Sequence, residues 1–228
     1  MGNWSYTNFQ AYLKTRLGNR DDVESPVNYL GIWTNSAYLD LTTKNRFWGL
    51  KRNFDFPQLR AVDSTKSTSD GVAYVAAPTD TLIIYQVRDT TSDSRLRRIS
   101  FEEYTNKSGT ADTDAEGVPT LWTRFGTYVY VYLTPDATYA LNIFYRKIPA
   151  VLSGVGDTTA IDASWDSTIL ELATIKGYTW LQQYDKAEMA RKQLLADLAD
   201  KMGIYDKEDN SRRDIMTPDP NYYDFTDM

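Results

Sequence analysis

The chain has 228 residues, 42% of them hydrophobic, enough for a sizeable core and too many for global disorder. It has no cysteine and no histidine, which excludes disulfide staples, thiolate zinc sites, cysteine nucleophiles and any serine–histidine–acid triad. Its net charge of -6 gives no global attraction for nucleic acid, it holds no apolar run of bilayer-spanning length, and MGNWSYTNFQ does not read as a secretory leader.

TNFQAYLKTRLG predicts a first helix, with Thr7 as its cap, Phe9, Tyr12, Leu13 and Leu17 on one stripe, and Gly18 at its end. NRDDVE is a polar loop. Ser25 as N-cap and Pro26 at the first helical position open a second helix over about 26–43. Val27, Leu30, Thr34, Ala37, Tyr38 and Leu41 fall on one face, and Gly31 is a local weakness. Phe47 and Trp48 follow as anchors beneath it.

From about residue 56 the pattern becomes short strands and turns. GVAYVAAP (71–78), TLIIYQVRD (81–89), SRLRRIS (94–100), TLWTRFG, TYVYVYL and TYALNIFYRKI read as strands of an antiparallel β domain inserted between helices. DSTKSTSDG (63–71) and TNKSGTADTDAEG (105–117) read as exposed polar loops. The last two strands flank Thr134-Pro135-Asp136-Ala137, read as a tight hairpin turn. In that hairpin Val129, Val131 and Leu133 face the core with Leu141, Ile143 and Tyr145. Tyr128, Tyr130 and Tyr132 share the other face with Asn142, Phe144 and Arg146. A sheet usually shows water one polar face, so this aromatic face needs a cover. A second layer of the same chain and another protein are both open readings. Seventeen tyrosines and six tryptophans fit protein contacts, and they also fit a β-rich fold.

The helical signal returns near 163. Leu170, Ala173, Gly177, Leu181 and Tyr184 form one stripe and Trp165, Ile169 and Leu172 a second, which predicts a helix buried on two sides. Asp185 and Glu188 have capping-box spacing for a further helix carrying Ala187, Ala190, Leu194, Leu198 and Met202, closed by Gly203 and Ile204. The two form an αα-hairpin. In the tail, DKEDNSRRDIMTPDPNYYDFTDM, Pro218 and Pro220 prevent a continuous helix. Its scattered Ile215, Met216, Tyr222, Tyr223 and Phe225 suggest a segment that folds onto a partner, or one packed on its own domain.

The fold class is therefore α+β. A four-helix portion, made of an N-terminal helix pair and a C-terminal αα-hairpin, holds an inserted antiparallel β domain and ends in an extended tail. The boundaries are 1–55, 56–152, 153–205 and 206–228. Chemistry is sparse. Asp112, Asp114, Glu116 and Gly117 match the start of a calcium loop, but its twelfth position is Thr123 and Pro119 falls inside, so a solvated acidic loop is preferred. NKSGT lacks the glycine before lysine of a phosphate loop. Glu102 and Glu103 point apart, and Asp162 and Asp166 suit a helix start. No catalytic residue, metal site or cofactor is expected. Arg95, Arg97 and Arg98 form a small basic patch, read as rim or interface charges.

Several elements together resemble the head-to-tail adaptor, or connector, proteins of short-tailed bacteriophages. They are Trp33-Thr34-Asn35-Ser36-Ala37-Tyr38 with Arg46-Phe47-Trp48, Ala73 to Asp80 (AYVAAPTD), Gly117-Val118-Pro119, Tyr128-Val129-Tyr130-Val131, Leu133-Thr134-Pro135-Asp136, and Tyr145 to Leu152 (YRKIPAVL). The resemblance runs from about 6 to 203 and departs at Thr34, where a hydrophobic residue is usual. It implies a structural virion protein of the neck and tail and not an enzyme. It further implies a dodecameric ring that contacts neighbouring copies, the portal protein and a downstream tail or nozzle protein. DNA would pass through the lumen without sequence-specific binding, and no membrane would be involved. Ile215, Met216, Tyr222, Tyr223 and Phe225 become candidate portal contacts. Tyr128, Tyr130, Tyr132, Phe144 and Arg146 become candidate subunit or tail-protein contacts. A stopper or tail-tube protein is the alternative, with a carbohydrate-binding or hydrolase domain behind it.

Overall fold

A computed structural model describes residues 3–43, 54, 56–108 and 115–213, with backbone only for 200 and 202–213. Phe47, Trp48, Asp112, Asp114 and the tail residues 214–228 lie outside it. The chain forms two units, Met1–Tyr6 with Tyr38–Trp165 and Thr7–Ala37 with Asp166–Met228.

The first unit is built on a seven-stranded sheet. Its strands are β1 (Arg60–Ser67), β2 (Tyr74–Ala76), β3 (Thr81–Asp89), β4 (Ser94–Arg98), β5 (Leu121–Phe125), β6 (Tyr128–Tyr132) and β7 (Ala140–Lys147), in the order β1-β7-β3-β4-β5-β6-β2. The edge strands β1 and β2 are neighbours in sequence. A flat seven-stranded sheet would hold its edges about 29 Å apart, yet the six residues between these strands reach at most about 24 Å. The sheet must therefore curl, and the bridge between Ser69 and Val72 closes the turn that joins its edges. Inside the curl lie Val75, Ile84, Val87, Leu96, Trp122, Val129, Val131, Leu141, Ile143 and Tyr145. Trp122, Leu96, Leu141 and Ile143 are almost wholly buried, each contributing about 1.5–3 kcal/mol of hydrophobic stabilisation.

Four expectations for this unit change. First, β6 and β7 are not a hairpin: β3, β4 and β5 lie between them. Alternation of side chains sets which face a residue takes, not which strand it pairs with. The link between them is held sideways instead, with Thr134, Pro135 and Ala137 carbonyls accepting from Gly117 N, Gly71 N and Thr68 Oγ1. Second, DSTKSTSDG is largely strand. β1 pairs with β7 alone among the strands, and its mostly exposed side chains leave no apolar alternation to read. Third, residues 101–108 form a helix, α3 (Phe101–Ser108). Ser100 Oγ accepts from Glu103 N at 3.0 Å, the N-cap half of a capping box. Fourth, the sheet is mixed. β4 and β5 run parallel, as strands joined through a helix can, and every other pairing is antiparallel.

In the second unit, α1 (Tyr6–Arg16) buries Phe9 and Leu13, Leu17 is buried just past its end, and Tyr12 is exposed, contrary to its expected place on the stripe. The helix starts one residue before Thr7, which therefore lies in the first turn and not at the cap. α2 (Tyr29–Thr43) starts later than expected because Asn28, not Ser25, caps it, with Asn28 Oδ1 accepting from Gly31 N. Pro26 and the exposed Val27 precede the helix. Within this unit α2 buries Leu30, Trp33, Thr34 and Ala37, and the Thr34 hydroxyl is satisfied by the Leu30 carbonyl at 2.8 Å. α4 (Asp166–Trp180) buries both expected stripes as far as Gly177. Tyr184 is exposed because α5 (Tyr184–Arg213) begins there, one residue before Asp185, which therefore sits in the first turn. α4 and α5 pack as a hairpin through Ala187, Leu194 and Leu198, and Lys201 Nζ bonds Thr168 Oγ1 at 2.7 Å. Gly203 does not end α5, which continues through residues 206–213 assigned to the tail. A single glycine costs a helix about 1 kcal/mol and is no stop without its left-handed cap geometry.

Candidate interaction surface

The outer face of the curled sheet carries the tyrosines. Because Val129 and Val131 are buried in the core, Tyr128, Tyr130 and Tyr132 project outward. The register sets Tyr74 opposite Tyr130, and sets Thr123 and Phe125 opposite Tyr130 and Tyr128. Gly126, at φ +59, makes the tight turn that joins β5 to β6. α3 is laid against this face. Phe101 stacks on Phe125 with centroids 4.1 Å apart, and the half-buried Tyr130 ring packs against Tyr104 at 5.5 Å. Tyr74 meets Tyr128 edge to face at 5.2 Å. Such ring pairs add about 0.5–1.5 kcal/mol each beyond burial.

The reading of a second layer from the same chain holds for part of the aromatic face. Tyr104 and Phe101 cover Tyr130 from within the chain. Tyr74, Phe125 and Tyr128 remain 48%, 55% and 42% exposed, a contiguous aromatic patch of the kind that marks a binding surface. Tyr132 is half-buried at the far end of β6, opposite Leu121.

The other two residues grouped with these tyrosines lie elsewhere. Phe144, half-buried on β7, pairs with Val62 and Gln86. Arg146 is buried, donates Nη2 to the Thr42 carbonyl in the last turn of α2 at 2.5 Å, and lies over the Phe56 ring. The bond is charge-assisted and ties β7 to Thr42. The portal candidates Ile215, Met216, Tyr222, Tyr223 and Phe225 lie outside the described residues. Sequence reading missed Tyr74, Phe101, Tyr104 and Phe125 as members of the patch. The Ser100-x-x-Glu103 spacing was the available signal for the helix that assembles it.

The patch is electrostatically distinctive. Residues 117–135 contain no Asp or Glu, in a chain with 31 acidic residues, and a single cation, Arg124. Arg124 is turned onto the Thr81, Leu82 and Gly126 carbonyls. On the opposite side of α3, β4 presents Arg95 and Arg97, with Arg97 Nη2 bonding Glu103 at 3.5 Å, and Arg98 lies over Trp122.

Other polar groups are structural. Asp157 accepts from Ser153 N and Gly154 N, which holds its carboxyl below the usual range. Tyr145 is pushed up to about 12 by burial and by its hydrogen bond to Asp80. Among the described residues no group of three or more metal-binding side chains occurs, and no helix is long and apolar enough to cross a membrane. What the surface offers is aromatic area for a macromolecular contact.

A model of the SU10 adaptor protein family matches residues 4–220. No curated protein matches the chain. The family is one of phage head-to-tail adaptors, structural proteins of the virion neck. The matched span covers both units, and the chain belongs to the SU10 adaptor protein family.

Proposed function

We propose that the chain assembles into a ring of about twelve copies below the portal and joins capsid to tail, with DNA passing through its lumen. The observation that carries this reading is an exposed aromatic face, on strands that hold no acidic residue, in a phage adaptor. Such a surface suits lasting contact with protein, since aromatic rings bury large area at little entropic cost. Portal, neighbouring copies and a downstream tail protein are the partners this reading requires. The acidic chain suits the lumen, because a basic wall would hold the genome through counterion release.

The test mixes the purified chain with its portal and weighs the product by native mass spectrometry. One species with about twelve chains on each portal supports the reading. Separate portal and monomer at micromolar concentration contradict it and favour another neck or tail role, such as a stopper or tail-tube protein.

A further inference from the structure

The ring reading leaves open which surfaces of neighbouring copies meet, and two features of the sheet answer that. A ring of more than two copies needs a heterologous contact, in which two different patches of one chain complement each other. Each copy carries -6, so copies repel unless carboxylates are kept out of the contact. The patch of Tyr74, Phe125 and Tyr128 satisfies that, since β2, β5 and β6 hold no acidic residue.

Its complement lies on the other flank of α3. That helix runs over β5, with Glu103 reaching Arg97 on β4 and Tyr104 reaching Tyr130 on β6. It is a ridge with tyrosines on one side and arginines on the other. Arg95, exposed on β4 on the same outward face as Arg97, makes no ion pair among the described residues. Guanidinium groups bind the faces of tyrosine and phenylalanine rings through cation–π attraction, and more strongly once water is excluded.

We propose that the Arg95 flank of α3 in one copy packs on the Tyr74–Phe125–Tyr128 patch of a second copy, joining copies head to tail. This rests on the ring reading and names its subunit contact. The sheet edges are poor alternatives. β2 is three residues long and β1 is interrupted by a bulge between Asp63 and Lys66, both devices that discourage strand addition.

The chain has no cysteine, so introduced thiols report alone. Tyr74→Cys, Arg95→Cys and the double variant are each assembled on the portal, checked for ring formation by native mass spectrometry, and treated with a short bis-maleimide. The double variant should give a ladder of covalent multimers. Each single variant should give no dimer, and their equal mixture should give cross-linked pairs only. Rings with no ladder, or dimers from Tyr74→Cys alone, overturn the contact while leaving the ring intact. Failure of the unmodified chain to form a ring removes the ring reading and the contact with it. In a second arm, Arg95→Glu should weaken assembly by about tenfold while Arg95→Lys retains most of it. Equal assembly of Arg95→Glu and the unmodified chain contradicts the proposal.

Discussion

Gly177 gives a sharp test of how the helical unit packs. It lies in α4, where a Cβ would meet Leu17 Cδ1 at 2.8 Å, Leu17 Cδ2 at 3.0 Å and Trp33 Cζ3 at 3.3 Å. Ordinary carbon contacts need about 3.5–4.0 Å. Leu17 and Trp33 are only 5% and 7% exposed, so neither has open space to retreat into. Gly177→Ala gains about 1 kcal/mol of helix propensity. Overpacking a filled core costs about 1–3 kcal/mol. With two methyls of one side chain struck at once, the overlap wins, and net destabilisation of about 1 kcal/mol is expected. Leu17→Ala alone should cost about 2–5 kcal/mol by leaving a cavity. In that background the same glycine change loses its two closest obstacles, with only Trp33 Cζ3 at 3.3 Å left, and should stabilise by up to about 1 kcal/mol. The coupling of up to about 2 kcal/mol is measured by urea denaturation of the four proteins of a double-mutant cycle. Equal stabilisation by Gly177→Ala in both backgrounds would refute the close approach of α4 to α1 and α2.

Three further outcomes follow from the sheet unit. Arg146→Ala leaves the Thr42 carbonyl without its charged donor and should cost about 2–3 kcal/mol in chemical denaturation. Arg146→Met keeps the packing volume and should cost less, and no cost for Arg146→Met would show that the charge is idle. Tyr145 should ionise near 12 instead of 10, read by absorbance difference against Tyr145→Phe. Its raised pKa favours the neutral phenol in the fold, so this contribution is complete below pH 10 and lost as pH rises toward 12. Asp157 has a lowered pKa, so its contribution is complete above the ordinary aspartate value of 3.8 and lost as pH falls below it. Asp157→Asn should flatten the acid limb of the stability curve, and an unchanged limb would assign acid sensitivity to other carboxylates.

Much of the helical unit was legible because its signals are local. The i, i+3, i+4 stripes of Leu13, Leu30, Leu170 and Leu194 follow from helix geometry alone, and their burial confirms it. Ends were less legible, since caps compete over one or two residues, as Asn28 does with Ser25. In the sheet, β3 coincides with its expected span, because the apolar run from Leu82 to Tyr85, set off by Pro78 and Asp80, has few alternatives. Pairing was not legible, because it depends on contacts distant in sequence. Tyr128 and Tyr130 share the outward face that strand alternation expects of them, whereas Arg146 is separated from them by the strand order. Half of the aromatic patch comes from α3 and β2, elements whose extents the short polar sequence around them obscured.

This adaptor is proposed to form the ring between portal and tail. The most direct measurement is a cryo-electron reconstruction of the virion neck in which the chain is traced from its side chains. A closed ring of this chain touching the portal on one side and a tail protein on the other is the expected result. The sheet of each copy should face its neighbour. Density for the chain away from the portal, or as isolated copies without mutual contact, would contradict it.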